Sequence, residues 1–207
     1  MTQPEARVAR NGRQPYGRRI DNRRDAVLDA AAREFAKHGY GGTSMRDIAA
    51  AAGMLGGSVY YHFKTKADLL LEAHQVGIQR YTDAFDKALQ KAGDAPPWDK
   101  FTMVCCAHLQ CIHNADHYAR LVRRDFMRHY PKETHAGLIA QRDAYERTFA
   151  RLVAELPLKS SVDPRLFRHA LIGALSATVD WYRPGGKTPT RIAEEIVEMF
   201  RRGVTSE

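Results

Sequence analysis

The residues best suited to chemistry in this 207-residue chain lie in one short segment, where polar aromatic side chains follow two glycines and precede two lysines. The segment reads GGSVYYHFKTK and runs from Gly56 to Lys66. Tyrosine and histidine combine a flat apolar body with a polar tip, so they pack on sugars and thymine methyl groups while donating to phosphate. Lysine adds a point charge for phosphate. These residue types suit a flat, negatively charged partner such as a nucleic acid.

The distribution of charge also favours a polyanionic partner. The chain carries a formal charge of +8 with a pI near 9.5, and +5 of that charge lies in residues 1–24, which hold seven arginines. Residues 1–20 are rich in Gly, Pro, Asn and Gln and lack an apolar period, which predicts a flexible basic arm. Two interpretations of this arm stay open. It is either a solubilising tail or a segment that follows DNA phosphates.

Helical periodicity continues through nearly the whole chain and predicts an all-α fold. Apolar residues recur at helical spacing from about position 21 to Phe35, and Gly39 ends that helix. Ser44 and Asp47 form a near capping box for a short second helix, and after a turn at 54–56 a third short helix precedes a long one capped by Thr65. Proline and glycine breaks divide the remainder into helices near 66–92, 98–113, 116–129, 132–156, 163–181 and 189–202.

Two short helices joined by a glycine-containing turn and held by a longer helix form a helix-turn-helix unit. Residues 23–70 closely resemble the DNA-binding domain of the TetR family of transcriptional regulators, through AAAREFAKHGYGGTSMRDIAAAAG followed by SVYYHFKTKADLL. The resemblance implies a DNA-binding domain over 21–66 and a larger all-helical ligand-binding and dimerisation domain over 67–207. It also implies a dimer that binds a pseudo-palindromic operator.

The family pattern assigns specific DNA contacts. The hydroxyl before the second helix, on Thr43 or Ser44, meets a phosphate in the family. The other predicted contacts surround the turn and the third helix: Arg46, Gly57, Ser58, Tyr60, Tyr61, His62, Lys64 and Lys66. Val59 and Phe63 are expected to face inward against the first helix and Ile48. The chain departs from the family at Leu55 and Gly56, where members commonly carry a hydroxyl cap and a longer polar residue. Because Gly56 has no side chain to contact a base, we expect sequence specificity to depend on the aromatic residues, on Arg46 and on DNA shape.

A stripe of small residues marks the penultimate helix, and an apolar face marks the last one. By resemblance these helices form a four-helix dimer bundle with their symmetry mates. The predicted interface comprises Ala170, Gly173, Ala174, Ala177, Ile192, Ile196 and Phe200. Ordinary packing within one subunit is the alternative interpretation.

The WYRPGG segment is similar to the corresponding part of the KstR2-like members of the family, which respond to acyl-CoA thioesters. A CoA ligand needs cations for its phosphates and an apolar tunnel for its acyl chain. The predicted ligand-binding residues are Phe101, Cys105, Leu109, Arg123, Phe126, Tyr145, Phe149, Trp181 and Arg183. A different hydrophobic small molecule is an alternative, and so is a purely structural role for these side chains.

A second cluster suggests a different kind of regulator. Cys105, Cys106 and Cys111 lie near His108, His113 and His117, so a metal- or thiol-responsive site is an alternative hypothesis. The sequence has no close Cys-x-x-Cys pair, and an odd number of cysteines in one cluster fits a reducing compartment with free thiols. We therefore predict no metal and no cofactor, and we expect thiols and imidazoles to line a core or pocket.

An enzyme is the least favoured class. The GGKT string resembles the end of a phosphate-binding loop, but the first glycine of that motif would fall at Trp181, and a helix rather than a strand precedes it. No catalytic residue is predicted. No segment has the uninterrupted apolar length of a membrane span, and the N-terminus lacks the apolar centre of a signal peptide. We expect a cytoplasmic repressor that a small hydrophobic ligand releases from DNA.

Overall fold

Helices make up the regular structure in the part of the chain that the computed structural model describes, residues 17–114, 116–123 and 129–204. The all-α prediction is confirmed for these residues. The helices are α1 Gly17–His38, α2 Met45–Ala51, α3 Gly56–His62, α4 Lys66–Ala92, α5 Pro97–His113, α6 His117–Leu121, α7 Lys132–Ala154, α8 Pro164–Trp181 and α9 Pro189–Val204.

Two capping boxes fix where α2 and α4 begin. Before α2, the Ser44 side chain accepts from the Asp47 backbone N–H at 3.2 Å, and the Asp47 carboxylate accepts from the Ser44 N–H at 2.8 Å. Thr65 and Asp68 make the same reciprocal pair before α4. Each box satisfies amides that the helix itself leaves without acceptors, and it directs the chain into the helix at a defined angle. The predicted caps at Ser44 and Thr65 are confirmed.

The first three helices form a first core together with residues of α4, α6 and α7. Val27 and Phe35 of α1 pack with Ile48 of α2 and with Val59 and Phe63 on the other side of the turn, and all five are buried. The turn between α2 and α3 contains Gly53 at φ +65°, a conformation that residues with a side chain rarely adopt. This core holds α3 in a fixed orientation on the surface of the unit.

A second core lies between α4, α5, α7, α8 and α9. Its centre is a set of interlocking rings, with Phe85 within 5.4 Å of both Tyr145 and Phe149 by ring centroids and Phe101 at 6.3 Å from Phe149. Burying each of these side chains stabilises the fold by about 2–3 kcal/mol. α4 belongs to both cores, because Leu69 and Leu70 lie in the first and Ile78, Tyr81 and Phe85 lie in the second.

Two helix boundaries differ from the prediction. α1 begins at Gly17 rather than at 21 or 22, so the end of the predicted basic arm is helical; residues 1–16 lie outside the described residues. α6 ends at Leu121 rather than at 129. Residues 122 and 123 are not helical, and residues 124–128 of the predicted helix lie outside the described residues. None of the described helices combines the length and apolar character needed to cross a membrane.

Candidate nucleic-acid interface and ligand cavity

The outer face of α3 carries the aromatic side chains of the predicted DNA site. Val59 is fully buried and Phe63 nearly so, as predicted, and this places the other residues of the helix outward. Tyr60 is 52% exposed and Tyr61 is 74% exposed. His62 packs edge-on against Tyr61 with ring centroids 5.2 Å apart, and Ser58 is exposed one residue before the buried Val59. α3 therefore presents a hydroxyl, two phenols and an imidazole on a rigid support.

A concave surface joins the beginning of α2 to the beginning of α3. Ser44 and Arg46 line it from α2, Gly57 and Tyr60 line it from α3, and Lys66 lines it from the start of α4. Thr43 also borders this surface, so the structure brings together six of the predicted DNA-contact residues. The hydrogen bonds from the Ser44 side chain and backbone lower the pKa of the Asp47 carboxyl. Asp47 therefore keeps the α2 cap formed across the neutral range.

Thr43 does not fit its predicted role in this structure. Its side chain is only 2% exposed, and Oγ1 donates within the loop, where the Gly39 carbonyl oxygen lies at 2.8 Å and that of Glu34 at 3.2 Å. A hydroxyl that turns inward to satisfy the end of α1 is not available to a phosphate. The phosphate-contact prediction is therefore restricted to Ser44, the exposed member of the pair.

Lys66 has a structural role that the sequence did not reveal. Its ammonium donates to the carbonyl oxygens of Tyr40 at 2.8 Å and Thr43 at 2.7 Å, and it lies 4.1 Å from the centre of the Tyr40 ring. Burial lowers the pKa of this ammonium from its ordinary value. Lys66 therefore fastens the loop before α2 to the start of α4. Lys64 is exposed, as expected of a residue that contacts phosphate only through its charge.

The glycines at the start of α3 face open space. A Cβ built on Gly56 or Gly57 meets no protein atom within 4 Å, so nothing inside the described structure requires a glycine there. Leu55 serves as the N-cap without a side-chain hydrogen bond and is 82% exposed. The least family-like part of the segment is thus an uncapped helix start with open backbone amides and one exposed apolar side chain.

A cavity of about 390 Å³ lies in the second core, and it contains only two of the predicted ligand residues, Arg123 and Tyr145. The other lining residues come from α4, α5, α7 and α8 and from the segment after α6, and no local sequence motif joins these elements. Among the described residues, the cavity is lined by Tyr81, His108, Ile112, Val122, Arg123, Arg142, Tyr145, Ile172, Ser176, Ala177, Val179 and Asp180.

The remaining ligand predictions are not supported by the position of the cavity. Phe101, Cys105, Leu109 and Phe149 are fully buried in the second core and do not line the cavity. Their rings and thiol fill space between helices, which is the usual role of such residues. Trp181 and Arg183 line a separate surface depression beside α9. Phe126 lies outside the described residues.

A buried polar pair lies at one wall of the cavity. The Tyr145 hydroxyl and His108 Nδ1 are 2.7 Å apart, and His108 Nε2 is buried without a hydrogen-bond partner among the described residues. Burial, together with a smaller effect of His113, lowers the pKa of His108 to about 3. Burial likewise raises the pKa of Tyr145 well above its ordinary value. Both groups are therefore neutral at physiological pH.

The cysteine and histidine cluster does not form a metal site in the described ranges. No group of three or more His, Cys, Asp or Glu side chains there is arranged to hold a metal ion. The three cysteines are free, and burial raises the pKa of Cys106 and of Cys111 to about 11 and that of Cys105 well above its usual value. His113 Nε2 bonds Thr178 Oγ1 at 2.9 Å, and His117 begins α6. Protonated thiols are poor ligands and poor nucleophiles, so the geometry does not support the metal- or thiol-sensing alternative.

The predicted dimer residues divide into two groups. Ala170, Gly173 and Ala177 are exposed on one face of α8, and Ala174 is half-buried. Ile192 and Ile196 are buried against the rest of the subunit, and Phe200 packs on Phe167 at 5.9 Å, so their apolar side chains already belong to the second core. The exposed α8 stripe instead continues through Leu166 and Trp181, which are 68% and 54% exposed.

Comparison with known proteins agrees with the fold and the two cores. Residues 27–73 match the family model for bacterial regulatory proteins of the tetR family, and residues 94–204 match the tetracyclin repressor-like C-terminal domain. The second match alone covers more than half of the chain. The chain therefore belongs to the TetR family of helix-turn-helix transcriptional regulators.

Individual relatives resemble the chain over most of its length. The transcriptional repressor KstR2 of Mycobacterium tuberculosis (strain ATCC 25618 / H37Rv) is 26% identical over 199 residues, which cover 91% of this chain and 96% of that protein. Among solved structures, the superantigen PfiT has a TM-score of 0.76 at 28% identity, covering 90% of this chain and 98% of that one. AibR in complex with isovaleryl coenzyme A and operator DNA has a TM-score of 0.73 at 24% identity, covering 86% and 97%.

Proposed function

We propose that this protein is a repressor that binds a pseudo-palindromic DNA operator as a homodimer and is released by a small hydrophobic ligand. The observation that carries the proposal is the outer face of α3. Tyr60 and Tyr61 are exposed on a helix whose opposite face, through Val59 and Phe63, is anchored in the core. Large aromatic side chains held outward on a short helix of a helix-turn-helix unit are suited to the major groove.

The surroundings of α3 suit a nucleic-acid backbone. Arg46 and Lys64 are exposed and cationic, and the N-cap residue of α3 makes no side-chain hydrogen bond to its first amides. Phosphate contacts from such groups fix the position of the protein on the duplex, while the phenols and His62 reach base edges and thymine methyl groups. This division predicts affinity that depends strongly on salt, and specificity that depends on the aromatic residues.

The exposed face of α8 is suited to joining two copies of the chain about a two-fold axis. Leu166, Ala170, Gly173 and Ala177 recur at three- and four-residue spacing on the exposed face of α8. Small side chains in the middle of that stripe allow two helices to approach closely, and Leu166 with Met199 of α9 supplies apolar area at the edge. Two copies joined in this way would place two α3 helices on one side of a duplex, as a two-fold symmetric operator requires.

The cavity supports a ligand of acyl-CoA type. Its volume lies within the range of about 300–1,000 Å³ found for small-molecule sites, and its walls are mostly apolar with Arg123 and Arg142 among them. AibR was solved with isovaleryl coenzyme A, and KstR2 is a transcriptional repressor. We propose that the acyl group occupies the cavity and that the arginines lie toward the phosphate-bearing end. The ligand acts by preferring a conformation that binds DNA less well.

Selection of DNA from a random duplex library with the purified protein tests the DNA function. The expected result is enrichment of a sequence with two-fold symmetry, bound by two copies of the chain in native mass spectrometry. Addition of octanoyl-CoA should release the bound DNA, whereas free CoA serves as the control and should not. Enrichment of no sequence, or binding of the selected DNA by a single chain, would contradict the proposal.

A further inference from the structure

The His108 imidazole is a buried polar group in the cavity wall. His108 is 3% exposed, its imidazole lines the cavity, and Nε2 has no hydrogen-bond partner among the described residues. A buried polar atom without a partner destabilises the protein, because it has lost its hydrogen bonds to water. Because the ring is held by Tyr145 at Nδ1, it cannot turn to relieve this without breaking that bond. Within the described structure, Nε2 is therefore an unsatisfied polar atom on a residue that lines a largely apolar cavity.

The hydrogen-bond pattern fixes which nitrogen carries the proton. The neutral phenol and the neutral imidazole have one proton each to share across the 2.7 Å contact. If Nδ1–H donated to the phenol oxygen, the phenol proton and the Nε2 lone pair would both lack partners in the described structure. If the phenol donates to Nδ1, Nε2–H and the lone pairs of the phenol oxygen lack partners instead, so the two arrangements leave equal numbers of groups unpaired. A phenol is the more acidic donor and an imidazole nitrogen is the more basic acceptor, so the second arrangement is favoured and Nε2 carries the proton.

We propose that His108 Nε2–H donates a hydrogen bond to the carbonyl oxygen of a bound acyl thioester, and that Tyr145 is the positioning residue that holds the imidazole in this tautomer. The inference rests on the proposed ligand-binding function and names the ligand atom that the cavity recognises. A thioester carbonyl is the one strong acceptor on the acyl half of such a ligand. Tyr81, Ile112 and Ile172 supply apolar surface around it.

The chemistry of the wall favours a neutral acceptor over a carboxylate. His108 lies among the rings of Tyr81, Phe85, Tyr145 and Phe149, with centroids 5.7–6.3 Å away, so a charge placed there loses most of its hydration. A carbonyl oxygen accepts one hydrogen bond at little desolvation cost. A site built to donate to an oxygen also rejects the analogue that lacks it, because the donor then stays buried and unsatisfied.

A matched pair of ligands tests this contact. Octanoyl-CoA and its thioether analogue S-octyl-CoA share the CoA moiety and the chain length and differ only in the carbonyl oxygen. We expect the wild-type protein to bind octanoyl-CoA about 10-fold or more tightly than S-octyl-CoA by isothermal titration calorimetry. His108→Leu should reduce this ratio to about two-fold. His38→Leu, which makes the same substitution at an exposed histidine outside the cavity, should preserve it.

The outcomes separate this inference from the proposed function. Equal binding of both ligands by the wild-type protein overturns the His108 contact and leaves acyl-CoA binding intact, whereas binding of neither ligand overturns both. Because His108→Leu alters the core, ¹⁵N NMR of the histidine-labelled wild-type protein gives an independent test. We expect an Nε2–H tautomer without ligand and a downfield shift of that proton with octanoyl-CoA but not with S-octyl-CoA. An Nδ1–H tautomer contradicts the inference.

Discussion

The hydroxyl of Tyr118 on α6 donates to Oδ1 of Asp29 on α1 at 2.5 Å. Burial and this hydrogen bond raise the pKa of Tyr118, so the phenol stays protonated and remains the donor. The Arg80 guanidinium lies 4.2 Å from the centre of the same ring and forms an ion pair with Asp116 at the start of α6. Val122, just after α6, lines the cavity. One short helix therefore contacts both the proposed ligand site and the DNA-binding unit.

Tyr118→Phe is expected to weaken the coupling between ligand and DNA while leaving each binding event nearly unchanged. The substitution keeps the ring beside Arg80 and removes one hydrogen bond, worth about 1 kcal/mol, between α6 and α1. The measurement is DNA affinity by fluorescence anisotropy with and without octanoyl-CoA. The ratio of the two affinities, here called the release factor, should fall about five-fold. Tyr182→Phe is the matched control, since that ring stacks on His113 away from α1. An unchanged release factor in Tyr118→Phe would show that the hydrogen bond between Tyr118 and Asp29 does not couple ligand binding to DNA binding.

Gly57→Ala is expected to affect stability and DNA binding in opposite directions. A Cβ at Gly57 contacts no protein atom and alanine favours helix, so the free energy of unfolding should stay the same or rise by up to about 1 kcal/mol. The same methyl group would project toward the DNA backbone and should reduce affinity several-fold. Gly203→Ala is the control, because its Cβ also meets open space but lies at the end of α9. Chemical denaturation and DNA titration of both variants measure the two effects. Undiminished affinity in Gly57→Ala would show that DNA does not approach this backbone.

Lys66→Ala and Lys64→Ala should differ, although both remove one positive charge near α3. Lys66 holds the Tyr40 and Thr43 carbonyls, so its loss should lower the free energy of unfolding by about 1–2 kcal/mol and weaken DNA binding. Lys64 is exposed, so its loss should leave stability within about 0.5 kcal/mol and reduce the salt dependence of DNA binding by about one phosphate contact. Urea denaturation and affinity at several salt concentrations distinguish the two. Equal stability of the variants would contradict the role given to Lys66.

Stability should decline as the pH falls below about 6.5. Burial lowers the pKa of His108 to about 3, and burial also lowers the pKa of His74, which bonds Gln141 through Nδ1 at 2.6 Å. Below the ordinary pKa of histidine the unfolded chain binds protons that the folded chain does not, so protonation favours unfolding. Full stability is thus present above pH 6.5, and each histidine removes up to about 1.4 kcal/mol per pH unit below it.

Urea denaturation between pH 7 and pH 5 measures this slope before most carboxylates titrate. His108→Leu should give a shallower slope than the wild-type protein at whatever stability it retains. A wild-type stability that is flat over this interval would contradict the neutral, buried state of the two histidines.

The parts of the molecule that could be predicted from the sequence are those determined by local chemistry. The Ser44 and Thr65 caps, the inward faces of Val59 and Phe63 and the outward aromatic residues follow from spacing within one or two turns. The hydrogen bond between His108 and Tyr145 joins residues 37 positions apart, and Lys66 bonds carbonyl oxygens 26 and 23 positions before it, on Tyr40 and Thr43. The periodicity of the sequence does not indicate contacts over such separations. The positions of Ile192 and Ile196 could not be predicted for a similar reason. The sequence shows that their helix has an apolar face, but it does not show whether the same subunit or a second copy covers that face.

The central claim is that the outer face of α3 binds DNA, and titration of Tyr60→Ala against the selected operator tests it most directly. Ile139→Ala is the matched control, since Ile139 is also 52% exposed but lies on α7. We expect Tyr60→Ala to lose at least about 10-fold in operator affinity with an unchanged melting temperature, and Ile139→Ala to bind as the wild-type protein does. Wild-type affinity in a folded Tyr60→Ala variant would contradict the account.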